Sequence, residues 1–211
     1  MKILLTGFEP FGGSNVNPSE QVVKNIDDQA FSSHQFMKKI LPVDSHKAAE
    51  LIREIIPEYQ PNLIIHLGEA SQRSAISIEK VAINWMDFRI PDNSGKKVQD
   101  QTIIPDGPTA YFSTLSVSEI INNIWSCGIP AELSLSAGAF LCNQVFYISR
   151  HYSNLLQNNC LCGFIHLPPL PEQVVHKQQP NPSMSLETSL KAIEIALTTC
   201  LNYNEHNSSS D

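Results

Sequence analysis

A few side chains in this sequence have the types and positions that acyl-transfer chemistry requires. Cys142 follows Ser136-Ala137-Gly138-Ala139-Phe140-Leu141, where a predicted strand gives way to a predicted helix. A thiol at a helix start meets unpaired N–H groups and the positive end of the helix dipole, which favour the thiolate and can support an oxyanion. Position alone favours a plainer reading, a buried cysteine acting as a small hydrophobe. A thiolate nucleophile needs a histidine to take its proton and later return it to the leaving group. Among seven histidines, His66 and His166 lie near the carboxyl ends of apolar strands. Spacing alone favours a hydrogen-bonded core role for each. Glu79, in Ser77-Ile78-Glu79-Lys80-Val81, is the carboxylate that could orient an imidazole. Its parity with Val81 and Ile83 points it to an apolar face, where a carboxylate needs a partner. An exposed strand glutamate beside Lys80 is the simpler alternative.

The elements that would hold these groups follow from local pattern. Lys2 to Thr6 reads as a buried strand ending at Gly7. Asn17-Pro18-Ser19-Glu20 is a helix start, with Asn17 as N-cap, and the helix runs to about Ile26. Phe36 to Val43 is a second strand. A helix capped by Ser45 or Asp44 runs to Ile56, where Pro57 stops it, and Leu63 to Leu67 is a third strand. Ile76 to Met86 reads as strand, followed by turn clusters at 90–95 and 105–108. Helices are predicted at 117–127, 141–154 and 186–201, and strands at 131–135 and 161–167. Five prolines between 168 and 182 predict a loop, and the tail after Asn204 should fray. Alternating apolar strands and helices imply a mainly parallel sheet covered on both faces, with an irregular, partly antiparallel insertion. Sites in such folds form beyond the strands' carboxyl ends. Gly7-Phe8, Gly68-Glu69, 136–142 and His166-Leu167 are therefore the places to search.

Composition narrows the partners. The 211 residues suit one domain, and 42% apolar with 17% charged residues is ordinary for a packed chain. A net charge of -7 argues against broad attraction to nucleic acid or anionic lipid. The uncharged stretch Leu133 to Ser149 is rich in Ser, Gly, Asn and Gln and is shorter than the roughly 20 apolar residues of a membrane span. Ile3-Leu4-Leu5 is far too short for the core of an export signal. Five cysteines, an odd number without zinc spacing, are expected to be reduced thiols in the cytosol. Cys160 and Cys162 share a strand face, poor geometry for a metal site. The segment Thr6 to Gly13 is neither a dinucleotide fingerprint nor a phosphate loop. Phe8 and Phe11 within it could wall an apolar pocket or lie beneath a turn.

Together these stretches resemble the pyroglutamyl peptidase I family. The likeness spans Met1 to about Leu201. It rests on Thr6 to Gly13, Arg73 to Asn84, Arg89-Ile90-Pro91-Asp92-Asn93, Gly107 to Phe112, Ser136 to Asn143, and Gly163 to His166 with Pro171-Glu172-Gln173. The resemblance implies a three-layer α/β/α sandwich around a mainly parallel twisted sheet. It implies one domain over residues 1–205 and a disordered tail at 206–211. It also implies a cytosolic cysteine exopeptidase without metal or other cofactor, acting on pyroglutamyl peptides as a homotetramer. Cys142 would be the nucleophile, His166 the acid/base and Glu79 the orienting carboxylate, through a thioester. Phe8, Phe11, Asn17, Glu69, Arg89, Phe140 and Leu141 would form the substrate site. Arg89 would lie close to the reacting centre. Glu69 is a departure, a charge where many relatives are uncharged; its carboxylate is expected to turn to Arg73 or water. His66 keeps its core reading. Two other readings stay open: another thiol acyl-hydrolase on the same scaffold, and a non-catalytic lactam-binding protein.

Overall fold

The computed structural model describes residues 1–156, 158–179 and 181–208, with side chains as far as Tyr203. In chain order it contains β1 (Lys2–Phe8), α1 (Pro18–Asn25), a 3-10 turn (Asp28–Phe31), β2 (Gln35–Leu41), α2 (Ser45–Tyr59) and β3 (Leu63–Glu69). Then follow β4 (Ile76–Glu79), β5 (Val81–Ile83), β6 (Ala110–Phe112), α3 (Val117–Ser126) and β7 (Ala131–Ser134). The last elements are α4 (Leu141–Leu155), β8 (Leu161–Leu167), the one-turn α5 (Pro171–Val174) and α6 (Leu186–Ser208).

Local chemistry accounts for most boundaries. Asn17 caps α1, its carbonyl oxygen accepting from the Ser19 N–H at 2.9 Å, with Pro18 at the first helical position. Asp44 rather than Ser45 caps α2, accepting from the N–H groups of His46 and Lys47. That helix passes through Pro57 instead of stopping there. Proline removes only the bond to the carbonyl of Arg53, and Arg53 is exposed, so the loss falls on the solvent side. The helix ends two residues later, at Tyr59, and left-handed Gln60 caps it. The proline-rich stretch expected as loop contains α5. The last helix, expected to end at Leu201, continues to Ser208, so the backbone at 206–208 is helical where a disordered tail was expected. Residues 209–211 lie outside the described residues. Among the described residues, no helix is long and apolar enough to cross a membrane.

The main sheet has the order β2-β1-β3-β8-β4-β7. Its first four strands are mutually parallel; β4 runs antiparallel to β8, and β7 runs parallel to β4. The expected strand from Ile76 to Met86 breaks at Lys80. Its first part joins the main sheet, and β5 pairs antiparallel with β6 in a separate ribbon. Met86 makes only an isolated bridge to Gln101.

Period-two alternation sorts the strand side chains into two cores. Ile3, Leu5, Ile65, Ile78 and Ile165 pack under α1, α3 and α6. Leu4, Ile64, Cys162 and Phe164 pack under α2 and α4. Each fully covered aliphatic or aromatic side chain contributes about 1.5–3 kcal/mol by leaving water. The result is the expected α/β/α sandwich. On the α4 face, pairing aligns Thr6, His66, Phe164, Glu79 and Ser134 across five strands. The adjacent row contains Gly68, His166 and Ser77.

Candidate active site

Cys142 is the second residue of α4. Phe140, the N-cap, is extended and offers no side-chain cap. The first N–H groups of the helix therefore have no intrahelical partner and remain available to an anion. Burial pushes the Cys142 thiol up to about 12, helped by the charges of Glu79 and Glu69. Its own backbone N–H and Arg73 pull the other way without prevailing. The helix start alone suggested a lowered thiol pKa. Burial and the two carboxylates act against that effect.

Glu79 and His166 come together from neighbouring antiparallel strands, as a diagonal pair on one face. His166 Nδ1 lies 2.7 Å from Glu79 Oε1, leaving Nε2 as the ring nitrogen away from the carboxylate. Arg73 Nη1 donates to the same oxygen at 2.6 Å. Burial by itself raises the Glu79 carboxyl; the bond and charge of His166, then Ser134 and Arg73, outweigh it and hold the carboxyl below its usual value. Parity with Val81 pointed towards burial by way of residues that lie in the other sheet. The relevant neighbours are Ile76 and Ile78, which face one core, while Ser77 and Glu79 face the other.

Gly68 links this pair to the sulfur. It stands directly opposite His166 in the β3–β8 register. A Cβ there would lie 2.9 Å from Cys142 Sγ and 2.8 Å from Phe164 Cζ. The Phe164 ring in turn packs on His166, with centroids 4.7 Å apart.

A cleft of about 240 Å³ opens at the thiol. Phe8, Phe11, Phe140, Leu141 and Val43 form its apolar wall, and Asn17, Glu69 and Cys142 complete it. A mostly apolar and aromatic wall with a few polar groups is the usual lining of a small-molecule site. Phe140 is braced by Phe88 in an edge-on contact with centroids 4.6 Å apart. Asn17 is fully buried; besides capping α1 it donates to the Glu9 carbonyl.

Two expected placements differ. Glu69 does line the cleft, but its carboxylate accepts from Gln173 Nε2 at 2.9 Å and does not turn to Arg73, which is engaged with Glu79. Burial raises the Glu69 carboxyl, against the Gln173 bond and Lys177. Arg89 is exposed and outside the cleft wall, because Phe88 is the residue that turns inward. His66 is a core histidine as read, fully buried between the Thr6 and Ser149 hydroxyls. Sequence reasoning missed Val43 and Gln173, and read Arg73 only as a partner for Glu69 rather than for Glu79. Gln173 bonds Glu69, Ser14, the Val16 carbonyl and the Leu170 N–H, joining three separated stretches of chain. Only its inclusion in the Pro171-Glu172-Gln173 motif hinted at this. Among the described residues, no three His, Cys, Asp or Glu side chains converge as a metal site.

Comparison with known proteins shows the family and the fold. The family model for pyroglutamyl peptidase matches residues 1–203. The pyrrolidone-carboxylate peptidase of Pyrococcus furiosus is 46% identical over 204 residues, covering 95% of this chain and 98% of that protein. Its namesake in Vibrio vulnificus is 45% identical over 200 residues, covering 95% and 92%. A solved mutant of the pyrrolidone carboxyl peptidase from P. furiosus superposes with a TM-score of 0.92 at 45% identity, covering 96% of this chain and 99% of that one. The chain belongs to the pyroglutamyl peptidase family of cysteine-type peptidases.

Proposed function

We propose that this protein hydrolyses the amide bond that follows an N-terminal pyroglutamyl residue, using Cys142 as nucleophile, His166 as acid/base and Glu79 to orient the imidazole. One observation carries the reading. The thiol forms part of a small aromatic cleft, and the neighbouring strand position, Gly68, abuts both that sulfur and the row holding His166. Pyroglutamate is a five-membered lactam without an α-ammonium. An apolar slot between Phe8, Phe11 and Phe140 holds its ring, and backbone groups at Gly68-Glu69 read its polar edge.

A thiol held near 12 is neutral at rest. The proton therefore passes from Sγ to His166 Nε2 as sulfur attacks the carbonyl, while Nδ1–H stays on Glu79 and the growing imidazolium faces its carboxylate. N–H groups at the start of α4 receive the oxyanion, where loss of one such donor typically costs about 3–4 kcal/mol. The C–N bond then breaks, and the imidazolium gives its proton to the departing amine. This leaves a pyroglutamyl thioester. Water, deprotonated by His166, adds to the thioester and expels the sulfur, which regains its proton. Arg89 takes no part in this scheme. Peptides are the substrates; a homotetramer in the cytosol is the accompanying proposal from family resemblance.

The test is release of a fluorescent amine from a pyroglutamyl amide. Wild-type protein should turn it over, and folded Cys142→Ala should lose at least about 10³-fold, as removal of a nucleophile does. Undiminished turnover by that variant would overturn the scheme. Preference for an uncyclised acyl amide would overturn the substrate assignment.

A further inference from the structure

Arg73 has no step in the scheme above, yet its guanidinium forks between two parts of the site. Nη1 donates to Glu79 Oε1 at 2.6 Å, and Nη2 donates to the Ser136 carbonyl at 3.0 Å. Ser136 opens the segment that ends in Phe140, Leu141 and Cys142. We propose that Arg73 is a positioning residue for the hydrolysis, a clamp that fixes the Glu79 carboxylate relative to the loop delivering Cys142. The inference rests on the roles given above to Cys142, His166 and Glu79.

Several features argue for a clamp rather than a surface ion pair. Glu79 is fully buried, and Oε1 receives both Arg73 and His166 while Oε2 has no hydrogen bond among the described residues. Arg73 therefore supplies one of the two hydrogen bonds that Oε1 accepts. The arginine is itself held from the end of β3. Its N–H donates to the Ala70 carbonyl, and the Ala70 N–H donates to Leu167, the residue after His166. On the other side, Ser136 N–H donates to Ser134 Oγ, and Ser134 pairs with Glu79 across β7 and β4. The fork therefore closes a ring of contacts through both strands and the loop before the nucleophile. A planar guanidinium reaches both acceptors at once, whereas a lysine ammonium is a single point charge on a flexible stem. Arg73 also carries one of the few influences that favour the Cys142 thiolate.

The experiment compares Arg73→Ala, Arg73→Lys and Glu79→Gln in the pyroglutamyl amide assay, with the pH profile of Cys142 alkylation by iodoacetamide as a readout independent of substrate. Misplacement of a catalytic group by about 1 Å costs on the order of 10²-fold. Arg73→Ala should lose about that much in kcat, with KM changed by less than about threefold. Its alkylation profile should move to higher pH. Because the guanidinium is partly exposed, added guanidinium ion at non-denaturing concentration should restore about tenfold to Arg73→Ala and nothing to Glu79→Gln. Arg73→Lys tests the same point in a variant that keeps the charge; it should recover only part of kcat. Wild-type kcat and alkylation profile in Arg73→Ala, or loss without guanidinium rescue, would overturn the clamp. If Arg73→Ala does not fold, full kcat in Arg73→Lys would overturn it. Full turnover by Glu79→Gln would instead strike the reading on which the clamp rests.

Discussion

Gly68 leaves room for the sulfur of Cys142: a Cβ on Gly68 would stand 2.9 Å from Sγ. Real Cβ atoms do not come that close, so the sulfur could yield only by turning about χ1, away from its present position. The same Cβ would meet Phe164 at 2.8 Å. The glycine is needed for close approach of sheet and helix start, as its φ is not left-handed.

Gly68→Ala is therefore expected to push Sγ out of line with His166 while leaving the two cores intact. kcat should fall by on the order of 10²-fold, with a smaller change in KM. Unfolding in urea should show a loss of about 1–3 kcal/mol from overpacking. Unchanged kcat would mean that sulfur and imidazole tolerate displacement, and the proposed geometry would be wrong.

Glu69 gives a second prediction. Its charge raises the Cys142 thiol pKa, and its own carboxyl is raised by burial. Removing the charge should bring the thiol down, so Glu69→Gln should shift Cys142 alkylation to lower pH. A neutral lactam gains nothing from a carboxylate beside it, so KM for a pyroglutamyl amide should not rise more than about threefold, well short of the tenfold that each 1.4 kcal/mol of binding represents. A large rise in KM would show that the carboxylate itself grips the substrate.

Much of this arrangement could be read from residue order, for identifiable reasons. Caps at Asn17 and Asp44 are local, and so are the alternating strands and the junction that presents Cys142. His166 sits where a parallel strand ends, a rule of the architecture rather than of its neighbours. What could not be read depends on pairing between distant segments. Glu79 faces His166 because β4 runs against β8, and no local pattern encodes strand direction. The break at Lys80 sends Val81 into another sheet, so parity beyond it carried no information about Glu79. Val43, Arg73 and Gln173 reach the site from separate stretches. The influences on the thiol are only partly legible, because the helix start is visible in sequence, whereas burial and the charges of Glu79 and Glu69 are set by the fold.

Asn143 offers a stability test beside the nucleophile. Its side chain is buried; Oδ1 accepts from the Ile83 N–H, and Nδ2 donates to the carbonyls of Ile83 and Trp85. It thus fastens β5 to α4. Asn143→Ala strands these backbone groups, and each buried unsatisfied group costs about 1–3 kcal/mol. A loss of about 2–4 kcal/mol, read as a lower urea midpoint with unchanged slope, is expected. A loss within about 0.5 kcal/mol, the range of surface substitutions, would show that the ribbon is held by other contacts.

His66 sets a pH dependence of stability. Its Nδ1 lies 2.7 Å from Thr6 Oγ1 and its Nε2 2.7 Å from Ser149 Oγ, in a fully buried position. Burial lowers its pKa from 6.5 to about 3. Between those values the unfolded chain binds a proton that the folded chain does not, so this contribution rises with pH. It is complete above about 6.5 and is lost as pH falls towards 3. The slope approaches about 1.4 kcal/mol per pH unit. Glu69, raised by burial, works in the opposite sense as pH falls, and the lowered carboxyl of Glu79 matters chiefly below its ordinary value of 4.5. The comparison therefore belongs between pH 5 and 6.5, with His66→Gln as reference, since both proteins retain these carboxyls. Urea midpoints should fall more steeply with acid in wild type than in His66→Gln. Parallel profiles would mean that His66 takes up its proton within the folded protein, against a buried site bounded by two hydroxyls.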